Sequence, residues 1–215
     1  GFEKYFQIAP CFRDEDARAD RTLEFYQLDL EMSFVEEEDV LNVGEEIFYD
    51  TFTKFSNKKV SPRPFRRISY LDAIDRYGTD KPDLRYGMEI EDITEIFKNT
   101  EFTVFKNVIE ESGIINAIVA ENATGLFSRK DIDKLTDFVK SKKASGLAYL
   151  KFDDEVTGSI AKVVTEAEIN ELKARLNIKK GDLVFIISGS KKIVKSSLGS
   201  LRIEVAKSLD LIDPE

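Results

Sequence analysis

The sequence predicts an α+β fold in two parts, and three observations carry that expectation. Two segments near the N-terminus alternate polar and apolar residues with period two. Later segments mix strand-like runs with helices that have readable start signals. The charge balance also changes near residue 90, from 13 bases and 20 acids in residues 1–90 to 19 and 21 in residues 91–215. The expected division therefore falls near residue 90, with the second part near the usual size of an independently folding domain. With 215 residues, 42% of them hydrophobic, the chain can build one large core or two modest ones.

Residues 4 to 13 put Phe6, Ile8 and Phe12 on one face and Tyr5, Gln7, Ala9, Cys11 and Arg13 on the other, as in a half-buried strand. From Phe25 to Phe34 the alternation is clearer. Tyr26, Leu28, Leu30, Met32 and Phe34 form an expected core face, while Phe25, Gln27, Asp29, Glu31 and Ser33 form the other. The polar stretch from Asp14 to Glu24 is longer than a tight hairpin turn requires, so it reads as a loop joining an antiparallel pair.

The acids from Glu36 to Asp39 precede Val40, Leu41, Val43, Ile47, Phe48, Phe52 and Phe55, spaced as on an amphipathic helix with negative charge at its positive end. Ser61-Pro62-Arg63-Pro64 breaks the chain, Ser69 with Asp72 can cap a short helix, and Gly78 can end it. Strand-like runs are expected at 102–108, 114–120, 147–152 and 183–188. Helix starts are expected at Ser128 with Asp131 and at Thr165 with Glu168, which have capping-box spacing. A last helix is expected over about 191–209.

Composition removes several kinds of chemistry. Histidine is absent, which excludes Ser-His-Asp and Cys-His catalysis and any unassisted general base near neutral pH. The single cysteine, Cys11, can form neither an internal disulfide nor a zinc cluster, so a reducing cytoplasmic compartment and a buried apolar role for Cys11 are expected. No stretch approaches the ~20 apolar residues of a membrane span, and the N-terminus lacks a signal-peptide layout. Gly1, not Met, opens the chain, and a strand follows within a few residues, as in a piece cut from something longer. A net charge of −9 leaves nucleic-acid contact to a local basic surface.

The face carrying Phe25, Gln27, Asp29 and Glu31 is the most informative local feature. It could be a solvated sheet face, but successive same-face carboxylates repel, and an aromatic ring there needs a flat cover. Arg13 could supply positive charge, and such a floor suits a zwitterion plus a nucleotide. Arg13, Arg18 and Arg21 lie among five acids, Asp14, Glu15, Asp16, Asp20 and Glu24. By charge alone that loop is solvated, although its arginines could contact phosphate or a base edge.

The string from Tyr5 through Cys11-Phe12-Arg13-Asp14-Glu15-Asp16 to Arg21, continuing from Glu24-Phe25 to Phe34, resembles motif 2 of bacterial-type aspartyl-tRNA synthetases, class II ligases. Tyr77-Gly78-Thr79-Asp80-Lys81-Pro82-Asp83-Leu84-Arg85 resembles another segment of that family. Residues from about 90 to 207 are similar to its GAD insertion domain, shared with an amidotransferase subunit. The resemblance implies a fragment of an antiparallel-sheet catalytic domain followed by an α+β insertion, in a cytoplasmic enzyme that is homodimeric at full length. Its substrates would be ATP, L-aspartate and tRNA(Asp). Magnesium would serve the full-length enzyme through ligands outside this sequence, so no metal ligand is assigned here.

The family's residue roles fall on matching positions. The resemblance gives Arg13 the α-phosphate of ATP and of the adenylate, the one catalytic contact. Glu15 borders the adenine amino group and Phe25 stacks on adenine, completing the ATP-binding set. Gln27 lies in the aspartate pocket and Asp29 receives the substrate ammonium. Asp16, Arg18 and Arg21 approach the tRNA acceptor end. The sequence departs from the commoner pattern at Pro10, where a basic residue is frequent, and at Thr22-Leu23, where Gln-Pro is frequent; neither is expected to touch the chemistry. The alternative is a non-catalytic binding or structural module. Gly189-Ser190-Lys191-Lys192 lacks phosphate-loop spacing and reads as a strand-to-helix turn. Lys191, Lys192, Lys195, Arg202 and Lys207 could face RNA or line a solvated helix face.

Overall fold

The computed structural model describes residues 1–16 and 21–212. Two compact units result, one from Gly1 to Arg66 and one from Arg67 onward. The compact division thus falls earlier than the change of sequence texture near residue 90, because residues 67–89 pack with the elements that follow them.

In the first unit, β1 (Lys4–Phe12) pairs antiparallel with β2 (Glu24–Met32). The register sets Cys11 opposite Phe25, Ala9 opposite Gln27, Gln7 opposite Asp29 and Tyr5 opposite Glu31. Directly opposed residues share a face, so the predicted polar faces of the two strands are one surface. The opposite, apolar face is not the buried core that its pattern predicts within this unit: Phe6 is 71% exposed, Ile8 66% and Tyr26 73%. Two strands and one helix supply too little apolar cover for it.

The helix α1 (Glu37–Phe55) begins where the acidic run predicts, with the Glu36 N–H donating to the Asp39 carboxylate at 3.0 Å. Near its exit Lys54 pairs with Asp50 at 3.1 Å. Glu45 is its buried residue; the carboxylate accepts the Phe65 N–H at 2.8 Å and Arg63 Nε at 3.2 Å, holding the outgoing segment against the helix.

The second unit opens with α2 (Tyr70–Tyr77), whose N-cap Ser69 accepts the Asp72 N–H and whose end is Gly78 at φ +71°. Five strands follow: β3 (Glu91–Asp92), β4 (Ile114–Ala120), β5 (Ala148–Phe152), β6 (Val156–Gly158) and β7 (Asp182–Gly189). They form one antiparallel sheet in the order β3-β4-β7-β5-β6. The central strand β7 is buried on both faces. Leu183, Phe185 and Ile187 join one core, with α4 (Arg129–Ser141) and α6 (Lys191–Ser208). Val184 and Ile186 join the other, with α3 (Thr103–Glu110) and α5 (Glu166–Leu176). The capping boxes at Ser128 and Thr165 form as their spacing predicts.

The segment 102–108, expected as a strand, is instead largely helical as α3. Phe102 and Phe105, three apart, bring their rings to 4.9 Å centroid separation, and Phe105 meets Phe97 at 4.8 Å. Those contacts follow a helical face, not alternation.

One stripe of α6 binds α2 and the segment after it. Lys195 donates to the Asp75 carbonyl at 2.6 Å, and Lys191 pairs with the Asp75 carboxylate at 3.1 Å. At Gly199 a Cβ would meet the Tyr77 carbonyl at 2.7 Å and the Gly78 Cα at 2.9 Å, so the close approach requires glycine there. The Arg202 guanidinium lies against the rings of Tyr77 and Tyr86, at 4.9 and 5.0 Å.

Candidate functional site

The shared polar face of β1 and β2 brings most of the predicted residues together. Past the end of β1 the ladder continues through the Arg13 N–H, which donates to the Leu23 carbonyl at 2.9 Å. This keeps the Arg13 side chain beside β2, with its guanidinium 5.1 Å from the centre of the Phe25 ring. Phe25 is half-buried and thus has the flat cover its position on a wet face calls for.

Glu15 stands between two arginines, 4.0 Å from Arg13 and 3.5 Å from Arg21. All three groups are about half exposed, so these ion pairs are weak and open to exchange with a ligand anion. Arg13, Glu15, Arg21, Thr22 and Phe25 line a concavity of about 360 Å³. Two guanidiniums, a carboxylate and an aromatic ring around one hollow suit a flat, hydrogen-bonding ring that carries an anionic group.

Further along the same face come Gln27, opposite Ala9, and Asp29, opposite Gln7. Gln7 Nε2 donates to Asp29 Oδ2 at 3.2 Å. Cys11 is half-buried and free, its Sγ 3.6 Å from the Ala9 carbonyl, so it is not the fully buried residue its type predicts.

Asp16 is exposed, and Arg18 lies outside the described residues. Arg21, expected with them at the tRNA end, stands at the concavity with Arg13 and Glu15. Thr22 is the residue that sequence reasoning missed. It lines the concavity, and its hydroxyl donates to the Glu24 carbonyl at 2.7 Å; the departure at this position therefore sits at the candidate site. Gln7 was legible as a member of the face but not as the partner of Asp29, since a loop of unknown path leaves the register open.

The α6 bases divide. Lys195 and Arg202 are buried, with 6% and 1% of their surface exposed, and burial lowers the pKa of each. Both hold backbone carbonyls of the second unit, so neither faces solvent or RNA. Lys207 pairs with Glu204 at 3.1 Å. Gly189 and Ser190 form the strand-to-helix turn between β7 and α6. Among the described residues no group of three or more Cys, Asp or Glu is placed to hold a metal ion, and no helix is long and apolar enough to cross a membrane.

Residues 1–195 match the family model described as tRNA synthetases class II (D, K and N). An aspartate–tRNA ligase of Clostridium botulinum (strain Kyoto / Type A2) is 48% identical over 216 residues, covering 100% of this chain and 36% of that protein. One from Clostridium tetani (strain Massachusetts / E88) is 49% identical over 214 residues, covering 99% of the chain and 36% of the relative. An aspartate–tRNA(Asp/Asn) ligase of Rickettsia canadensis (strain McKiel) is 47% identical over 218 residues, with 100% and 36% covered. The chain thus spans 36% of the length of these curated relatives.

Proposed function

That this chain belongs to the class II tRNA synthetases of the D, K and N group is the premise from which we propose that it forms one wall of an aspartate-activating site. In the reaction, the carboxylate of L-aspartate attacks the α-phosphorus of ATP, pyrophosphate leaves, and the aspartyl group passes from the adenylate to the 3′ end of tRNA(Asp). The observation that carries this reading is the Arg13 guanidinium over the Phe25 ring, with Gln27 and Asp29 on the same sheet face.

Each residue has a chemical task in that reading. Arg13 offers a planar, permanently charged donor to the α-phosphate, where negative charge builds as pyrophosphate departs. Phe25 exchanges its guanidinium cover for adenine, and Glu15 accepts from the adenine amino group. Gln27 contacts the aspartate, and Asp29 receives its ammonium. Asp16, Arg18 and Arg21 serve the tRNA acceptor end. ATP enters as substrate, and magnesium belongs to the family's chemistry; among the described residues no group of three or more acids is placed to hold it. The proposed full-length enzyme is a cytoplasmic homodimer.

Residues 1–89 are proposed as part of the catalytic domain and residues 90–210 as the GAD insertion, with 211–215 leading back; positions 213–215 lie outside the described residues. One observation favours a second reading for the insertion, as a non-catalytic binding or structural module: its sheet is covered on both faces by two complete cores. Pyrophosphate exchange separates the readings. The full-length protein should exchange pyrophosphate with aspartate, and not with asparagine or lysine, while the isolated 215 residues should be inactive because a productive ATP complex needs clamps at both ends of the triphosphate. Exchange driven by asparagine or lysine, or none in the full-length protein, would overturn the reading.

A further inference from the structure

Register places Gln7 directly opposite Asp29, and the Gln7 amide donates to Asp29 Oδ2 at 3.2 Å. We propose that Gln7 is a positioning residue for the amino-acid substrate. By pinning Oδ2, it holds the Asp29 carboxylate over the sheet floor and leaves Oδ1 to accept the ammonium group. The inference rests on the reading of Asp29 as the ammonium receptor.

The residue types make the case. Asp29 shares its face with Glu31, two positions along the strand, and two like charges so placed push each other away. An aspartate side chain half-exposed at that position would sample several rotamers, and each ligand would have to select one. A cross-strand donor removes that freedom in advance. It also has to be neutral: a Lys or Arg opposite Asp29 would pair with the carboxylate and compete with the ammonium. Glutamine is long enough to cross the strand spacing, carries two donors and leaves the negative charge of Asp29 intact. Among the described residues, Gln7 is the side chain that donates to Asp29.

The test uses the full-length protein containing this chain, with L-aspartate and ATP in pyrophosphate exchange. Gln7→Met keeps the shape and removes the donor; Gln7→Glu keeps the shape and sets a second carboxylate against Asp29. The expected result is a KM for aspartate raised about tenfold by Gln7→Met, the loss of a hydrogen bond to a charged group, and raised further by Gln7→Glu. The KM for ATP and kcat should stay within about twofold, because the amide touches neither nucleotide nor reacting atoms. Asp29→Asn is the control for the underlying reading. If Asp29→Asn raises the KM for aspartate while both Gln7 variants leave it unchanged, the positioning role is overturned and the role of Asp29 stands. If Asp29→Asn leaves it unchanged, the ammonium assignment and this inference fall together. A Gln7→Met protein with a lowered melting temperature and parallel losses in kcat and both KM values makes Gln7 a structural residue, which also overturns the proposal.

Discussion

Arg202 Nε donates to the Met88 carbonyl at 2.7 Å across 114 positions of sequence, so the last helix holds a segment that precedes the whole five-stranded sheet. The same guanidinium donates to the Gly87 carbonyl at 3.0 Å and lies over the Tyr77 and Tyr86 rings. Burial lowers the pKa of Arg202, but the residue stays charged at any physiological pH.

Arg202→Met should therefore destabilise the second unit by about 3 kcal/mol, since hydrogen bonds to a charged group are lost and buried carbonyls are left without donors. Arg202→Lys should recover less than half of that, because an ammonium has no flat face to lay against the two rings. Urea denaturation of the two variants checks this. A Lys variant as stable as the parent would show that charge alone matters.

The compact division at residue 66 predicts how the second unit behaves in isolation. A fragment from residue 67 should unfold in one cooperative transition. A fragment from residue 90 should be less stable or lack that transition, because Lys195 loses the Asp75 carbonyl and Arg202 loses Gly87 and Met88. Thermal unfolding decides it, and equal melting temperatures would show that residues 67–89 add nothing to the fold.

In the full-length protein, Arg13→Ala should slow aspartate-dependent pyrophosphate exchange roughly a hundredfold, the usual cost of one oriented donor to a developing anion. The KM for aspartate should move little. Exchange within threefold of the parent would remove Arg13 from the chemical step.

Arg21→Ala and Arg18→Ala test the division between adenylate and tRNA. Both should impair aminoacylation and spare pyrophosphate exchange. The 3.5 Å pair of Arg21 with Glu15 makes Arg21 the sharper case, since equal losses in both assays would assign it to the nucleotide side of the concavity.

Asp83 supplies a pH signature. Hydrogen bonds from the Arg85 side chain, at 2.6 and 3.0 Å, hold its carboxyl below the usual carboxylate range. The folded-state value lies below the unfolded one, so the pair adds stability above the unfolded pKa of about 4 and loses it as pH falls through the folded value. Asp83→Asn should reduce stability at neutral pH and flatten its decline below about pH 4. Parallel melting-temperature curves for the two proteins across that range would exclude the pair as an acid-sensitive contact.

Sequence alone determined the features whose causes lie within a few residues. Ser69, Ser128 and Thr165 start their helices because a side-chain oxygen meets an N–H three positions on. The alternation of β2 placed Phe25, Gln27, Asp29 and Glu31 on one face because strand geometry has a period of two. Tertiary structure decided what depends on partners distant in sequence. Pairing with β1 put Gln7 beside Asp29, and the return of the loop put Arg21 and Thr22 beside Arg13. The packing of Phe97, Phe102 and Phe105 made 103–110 a helix although its β-branched and aromatic residues resemble a strand. Lys195 and Arg202 look like surface bases in sequence and are buried because α2 and the segment after it offer them carbonyls. Local rules report which groups a residue carries and which way the backbone turns; burial and register are properties of the pair, and a single strand or helix does not contain its partner.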